Sequence, residues 1–393
     1  MLNLLRKAWR RGRSFLPVDG FVFGRPIVVL QSDDWGRVGM RDREAWEELR
    51  SLGVNLGERS YDFYSLETAE DVAAVVALLQ SHRDSTGRPA CLGMNFIVAN
   101  VDFAKVTANC VHEIYLRALT EGLPEGWERP GLFDEYREGI YSGTLSPALH
   151  GGTHFCRRAV ERHLKDPGER GALLRNLWRM GVPYIHWRMP WVGFEYWDPE
   201  AAGEEDFVAS ADQEKLIDSA AKTFTQFFSQ SPLSACAPGY RANQSTHAAW
   251  VKCGVRVAQN GPGNAIPPHF DGNGILHLYR SMDFEPAVLQ DCSVKACVQV
   301  AEDCFARGLP AIISVHSINF HSSLKDFRSR TLEMLHEFLT ALEAKHSDLL
   351  YLRDQDLYEL VDEGSVHSRE STVRVAVNKR KFTPGAIAAG WGA

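Results

Sequence analysis

The run Ile27-Val28-Val29-Leu30 leads without a break into Gln31-Ser32-Asp33-Asp34-Trp35-Gly36. A short β-branched apolar run of this kind is the pattern of a central parallel strand, covered on both faces. The carboxylate pair then falls at the strand's C-terminal end, where α/β folds and barrels gather their chemistry. Two like charges so close resist ionising together, so a cation or a shared proton must relieve them. Asp-Asp before Gly is also ordinary turn chemistry. Partners elsewhere in the chain must decide between the two.

Two further segments supply candidates. His150-Gly151-Gly152-Thr153-His154 follows Thr144–Leu149, a stretch that can end a strand. Histidines four apart meet on one face if the chain turns helical after Gly152. Neutral imidazoles so placed suit a divalent ion of the zinc type, with a carboxylate as third ligand and water completing the site. Alone, they read equally as capping or solvent histidines. In Leu309–Phe320 an apolar strand delivers His316 to its C-terminal end. Histidine exchanges protons readily near neutral pH, although a strand-end histidine can also be merely hydrogen-bonded.

In this order, from residue 26 to about 360, the three pieces resemble the polysaccharide deacetylase family, the metal-dependent carbohydrate esterases and their relatives. The resemblance implies an α/β fold, a distorted (β/α)7 barrel with inserted loops. It implies Asp34, His150 and His154 as metal ligands, Asp33 as general base and His316 as general acid. Ala235-Cys236-Ala237-Pro238-Gly239-Tyr240-Arg241 is similar to the family's Pro loop, which would place Trp35, Pro238, Gly239, Tyr240 and Arg241 against substrate, with a Gly239–Tyr240 backbone N–H at the oxyanion. Two departures stand out. Ser-Asp-Asp-Trp-Gly replaces the commoner Phe-Asp-Asp-Gly. The arginine that orients the base is missing before the loop's Pro; Cys236 is nearby, and an arginine comes only afterwards, at Arg241.

The activity implied is that of a metal-dependent hydrolase acting on C–N (non-peptide) bonds, removing an N- or O-acyl group from an amino sugar or glycoconjugate. Its cofactor would be a divalent metal ion, zinc the first choice. Its partner would be a carbohydrate or lipid-linked sugar. The alternative is a catalytically inactive barrel that binds a sugar or a biosynthetic partner. A third reading is glycosidic hydrolysis, with Asp283 or Glu285 facing Asp33.

At 393 residues the chain suits one elaborated domain. It divides into a basic N-terminal helix (1–22), a barrel (23–363) interrupted near 101–145 and 187–205, and a C-terminal extension (364–393), with Val373–Val377 an added strand and 385–393 a mobile tail. Thr68 with Asp71 makes a helix start. Leu332, Leu335, Phe338, Leu339 and Leu342 repeat at helical spacing. Strand-like runs occur near 91–99, 233–237, 255–259 and 275–279. A net charge of −7 and a pI near 6.1 argue against a nucleic-acid partner. Eight scattered cysteines without a C-x-x-C pair, and no secretory signal, favour a reduced cytoplasmic setting. Leu2, Leu5 and Trp9 opposite Arg6, Lys7, Arg10 and Arg13 describe a helix that packs on the domain or rests peripherally on the inner membrane. Trp187, Trp191, Phe194, Tyr196 and Trp197 either stack on sugar or pack the insertion. His186 and His321 lie nearest the candidate loops.

Overall fold

A computed structural model describes residues 17–106, 113–201, 206–262, 266–367 and 372–383. Its centre is a ten-stranded sheet: β1 (Ile27–Trp35), β2 (Leu92–Phe96), β3 (Leu145–Leu149), β4 (Ser234–Cys236), β5 (Val257–Pro262), β6 (His269–Phe270), β7 (Leu276–Arg280), β8 (Met282–Asp283), β9 (Ala311–His316) and β10 (Leu350–Tyr351). All nine residues of β1 are buried, as its unbroken apolar start requires. The strands pair in the order β8-β9-β1-β2-β3-β4-β5-β7-β6, with β10 also beside β1. Every pairing is parallel except β6 with β7.

No strand pairing closes this path among the described residues; of the expected barrel, the structure shows the α/β fold with a mostly parallel sheet. Its two ends are nevertheless neighbours in the chain. β7 pairs with β5, β8 pairs with β9, and only Ser281 separates β7 from β8.

Strand alternation sorts the side chains into two sets. Val28 and Leu30 join Val75, Leu79, Leu335 and Phe338 in the larger apolar cluster between sheet and helices. Ile27 and Val29 join Val257, Leu276, Leu278 and Ile312 in a second. The same alternating row continues on β1 into Gln31 and Asp33, and on β7 into Arg280. An apolar floor thus carries a polar layer at the strands' C-terminal ends.

Ten α-helices are present among the described residues. Thr68 and Asp71 cap the helix Ala69–Ser81 reciprocally, and the late apolar stripe lies on Arg328–Lys345, as its spacing predicts. The expected N-terminal helix needs revising over its last residues. Val18–Phe23 is a strand, paired antiparallel with Val377–Phe382 of the C-terminal extension. The expected strand at 373–377 is split between Thr372–Arg374, which pairs with Ser365–His367, and Val377–Phe382. The basic face at residues 2–13, Cys110 and the tail 385–393 lie outside the described residues. No described helix is long and apolar enough to cross a membrane, and no disulfide forms among the described cysteines.

Candidate metal centre

Near the end of β1, Asp34 sits at φ +76°, a left-handed conformation costly for most side chains and tolerated by Asp. The turn swings this carboxylate toward the β3 end, where Oδ1 lies 3.3 Å from His154 Nε2 and 3.7 Å from His150 Nε2. The shorter separation matches the edge of a tetrahedron with ligands about 2.0–2.2 Å from its centre, roughly 3.3–3.5 Å, and the longer lies just beyond it. Asp34 is buried, and neither of its oxygens has a hydrogen-bond partner. Such a group is costly unless something else satisfies it. A divalent cation fits this donor set.

The imidazoles are turned by their other nitrogens. His150 Nδ1 bonds the Cys236 carbonyl at 2.9 Å, and His154 Nδ1 bonds the Tyr184 hydroxyl at 2.8 Å. Fixing one ring nitrogen so that the other faces the ion is the usual outer support of a metal-ligating histidine. Burial pushes the His154 imidazole well below its ordinary range despite Asp34, so it stays neutral and able to ligate.

The expected route to this geometry is wrong in one respect. The chain does not turn helical after Gly152; the next helix begins at Arg157. Residues 150–154 form a loop held from beneath by Glu195, which accepts the N–H groups of Gly152 and Thr153 at 3.0 Å. Gly151 sits at φ +93°, where a Cβ would lie 2.2 Å from Glu195 Oε2.

Asp33, one residue earlier, points into the polar layer and meets Arg280 from β7. Two parallel contacts of 2.6 Å join Nη2 to Oδ1 and Nη1 to Oδ2, and Asn95 Nδ2 donates to Oδ1 at 2.7 Å. Burial would raise the Asp33 carboxyl, but the Arg280 charge and hydrogen bonds, with His150 and His316, together outweigh it and hold the group below the usual carboxylate range. The guanidinium also donates to Gln31, Ser314, Tyr240 and Gln259. Gln31, Gln259 and Ser234 donate in turn to the buried Asp354.

His316 stands 3.8 Å from Asp33 Oδ2 through Nε2, and its Nδ1 binds Glu285 Oε1 at 2.6 Å. Burial alone would lower this imidazole; the charge and hydrogen bond of Glu285, with Asp33 and Asp34 behind, raise it to about 9. Cys236 lies within metal-ligating distance of Asp33 and His150. Burial pushes its thiol well up from the ordinary range.

Comparison with solved structures finds low-identity matches to carbohydrate esterases among other proteins. A Mycobacterium smegmatis protein assigned to the polysaccharide deacetylases aligns over 86% of this chain and 91% of its own, at 11% identity and a TM-score of 0.44. The family 4 carbohydrate esterase from Streptomyces lividans, solved with acetate, aligns over 83% and 91%, at 10% identity and a TM-score of 0.34. Puue allantoinase aligns over 86% and 91%, at 12% identity and a TM-score of 0.45. No family model and no curated protein matches the sequence.

Of the residues read as substrate contacts, Trp35 is fully buried, stacked on Phe320 with its indole N–H on Ser32. It packs the core and is corrected to a structural residue. Pro238, Gly239 and Tyr240 form a short turn after β4, and the Tyr240 hydroxyl reaches Arg280 at 2.6 Å. Arg241 is exposed over the Trp197 ring and makes no contact with Asp33. The guanidinium paired with Asp33 therefore comes from a different strand, at a position the sequence reading passed over. A clue existed, since Arg280 directly follows the strand-like run 275–279. Arg37 was missed as well; it lies 3.4 Å from Asp34 Oδ2 and over the Tyr64 ring. His186 packs 5.2 Å from the His154 ring, whereas buried His321 faces Glu67. Glu285 is hydrogen-bonded to His316 and Asn319.

Proposed function

We propose that this protein is a metal-dependent hydrolase that removes an N- or O-acyl group from an amino sugar or glycoconjugate, acting on C–N (non-peptide) bonds in the first case. One observation carries the reading: a buried Asp34 without hydrogen-bond partners converges with two oriented imidazoles, beside one paired base and one paired acid. Asp34, His150 and His154 would hold a divalent ion, zinc the first choice for this nitrogen and oxygen set. Such an ion lowers the pKa of a bound water and polarises an acyl carbonyl.

The chain's own groups divide the proton transfers. Asp33, kept ionised by Arg280, accepts a proton at Oδ2 or Oδ1. His316, kept protonated by Glu285, donates from Nε2 to the departing amine or alcohol. Both lie at the same strand ends, and His316 alone of the pair is partly open to solvent, with about a quarter of its side chain exposed. Trp187, 62% exposed, stands edge-on to His186 at the rim, an apolar ring available to a sugar face. Arg280 supplies the guanidinium absent from the Pro loop, which weakens the case for an inactive, binding-only barrel.

The test is elemental analysis of protein purified without added metal, followed by release assays on acetylated and formylated amino sugars. Asp34→Ala abolishes both metal content and turnover, whereas His316→Ala keeps the metal and loses turnover by about 10²- to 10⁴-fold. Equal metal loss in both variants would overturn the division of roles. Stoichiometric zinc without release from the panel would favour a binding protein.

A further inference from the structure

A second carboxylate flanked by two imidazoles lies away from the centre just described. Asp271 opens the turn between β6 and β7, His277 is on β7, and His247 is on the helix Gln244–Lys252. The turn fixes the carboxylate, because Asp271 Oδ1 accepts the N–H groups of Asn273 at 2.8 Å and Ile275 at 2.9 Å. Oδ2 faces His277 Nε2 at 3.4 Å and His247 Nδ1 at 3.5 Å, and takes the Asn273 side-chain amide at 3.1 Å.

The two imidazole distances are too long for good N–H···O hydrogen bonds. They match the same tetrahedral edge, roughly 3.3–3.5 Å, that recurs around Asp34. One ligand atom from each of the three residues lies within 4.8 Å of the others. His277 is the second, independent sign. It is buried, its Nδ1 meets the Asn260 side-chain amide at 3.2 Å, and its Nε2, aimed into this cluster, has only Asp271 Oδ2 opposite it, at 3.4 Å. Its ring is wedged between His247 at 4.9 Å and His269 at 5.5 Å, a poor setting for a positive charge of its own.

We propose that His247, Asp271 and His277 form a second divalent-cation site, of the zinc class, with water completing its coordination. His247 and Asp271 are partly exposed, so an ion enters from solvent. The site joins two elements that serve the first centre. The helix Gln244–Lys252 follows the Tyr240 turn, and β7 ends in Arg280. An ion here fastens both and so acts on the positioning of Arg280 against Asp33. The inference is independent of the hydrolase reading, since it concerns metal content alone.

Zinc titration of the metal-stripped whole chain by calorimetry, with elemental analysis after desalting, tests it. The unsubstituted chain is expected to hold two zinc ions. Asp34→Ala retains one, and His277→Gln, chosen to keep volume and polarity, also retains one. Asp34→Ala with His277→Gln retains none, and zinc raises the melting temperature of the Asp34→Ala chain but not of the double variant. Circular dichroism of each variant confirms folding. A single ion in the unsubstituted chain that disappears with Asp34→Ala and persists unchanged in His277→Gln would overturn the proposal, leaving His247–Asp271–His277 as an ion-pair cluster only.

Discussion

Replacing Glu285 with Gln removes the largest influence that raises the His316 imidazole, while keeping its shape and one acceptor oxygen. In the folded protein His316 is raised from about 6.5 to about 9. A general acid works only in its protonated form, so the rate should hold through neutral pH and fall as pH rises through about 9. If the substitution returns the group to about 6.5, the protonated fraction at pH 8 drops from roughly 90% to roughly 3%, a loss of about 30-fold. At pH 6 the same change costs less than about twofold, because both forms are then mostly protonated. The assay is kcat/KM against pH from 5.5 to about 10, on whichever acylated amino sugar is released fastest, since this ratio reports the free enzyme's acid and base. The reasoning is refuted if both proteins share one basic limb. It is equally refuted if the loss is the same at pH 6 and pH 8, because a merely structural defect would not depend on pH.

Arg280→Met leaves the Asp33 carboxylate buried without its partner and should cost about 3–5 kcal/mol in urea denaturation; adding Asp33→Asn should recover most of that stability and none of the activity. Gly151→Ala forces a Cβ against Glu195 in a left-handed backbone, for an expected cost of about 1–3 kcal/mol and weaker zinc retention, read by thermal unfolding and elemental analysis. Trp187→Ala should raise KM for a sugar substrate several-fold with little change in kcat, if the exposed ring only stacks; an equal fall in kcat would place it in the reaction itself. Chelation should abolish turnover reversibly, with zinc restoring it in the unsubstituted chain but not in Asp34→Ala.

Local pattern made several parts legible. The buried character of Ile27–Leu30, the Thr68–Asp71 cap and the helix at 328–345 follow from periodicity and capping chemistry, which act over a few residues. The carboxylates and imidazoles were recognisable because each sits at a strand end or in the loop just after one, where a short motif announces it. The loop at 150–154 was misread as helical because His-x-x-x-His carries helix spacing, while the force that shapes it comes from Glu195, more than forty residues on. Trp35 was assigned to substrate by adjacency in sequence, but its indole is turned into the core against Phe320.

The sequence by itself determined which residue types stand at the ends of which strands, because alternation and apolar runs are written locally. Only the tertiary structure decided who pairs with whom. The guanidinium on Asp33 comes from Arg280, 247 positions away, the carboxylate on His316 comes from Glu285, and the candidate metal centre draws on strand ends more than a hundred residues apart. Electrostatic partners are chosen by distance in space and by burial, and a parallel sheet makes neighbours of strands whose separation along the chain carries no sign of it.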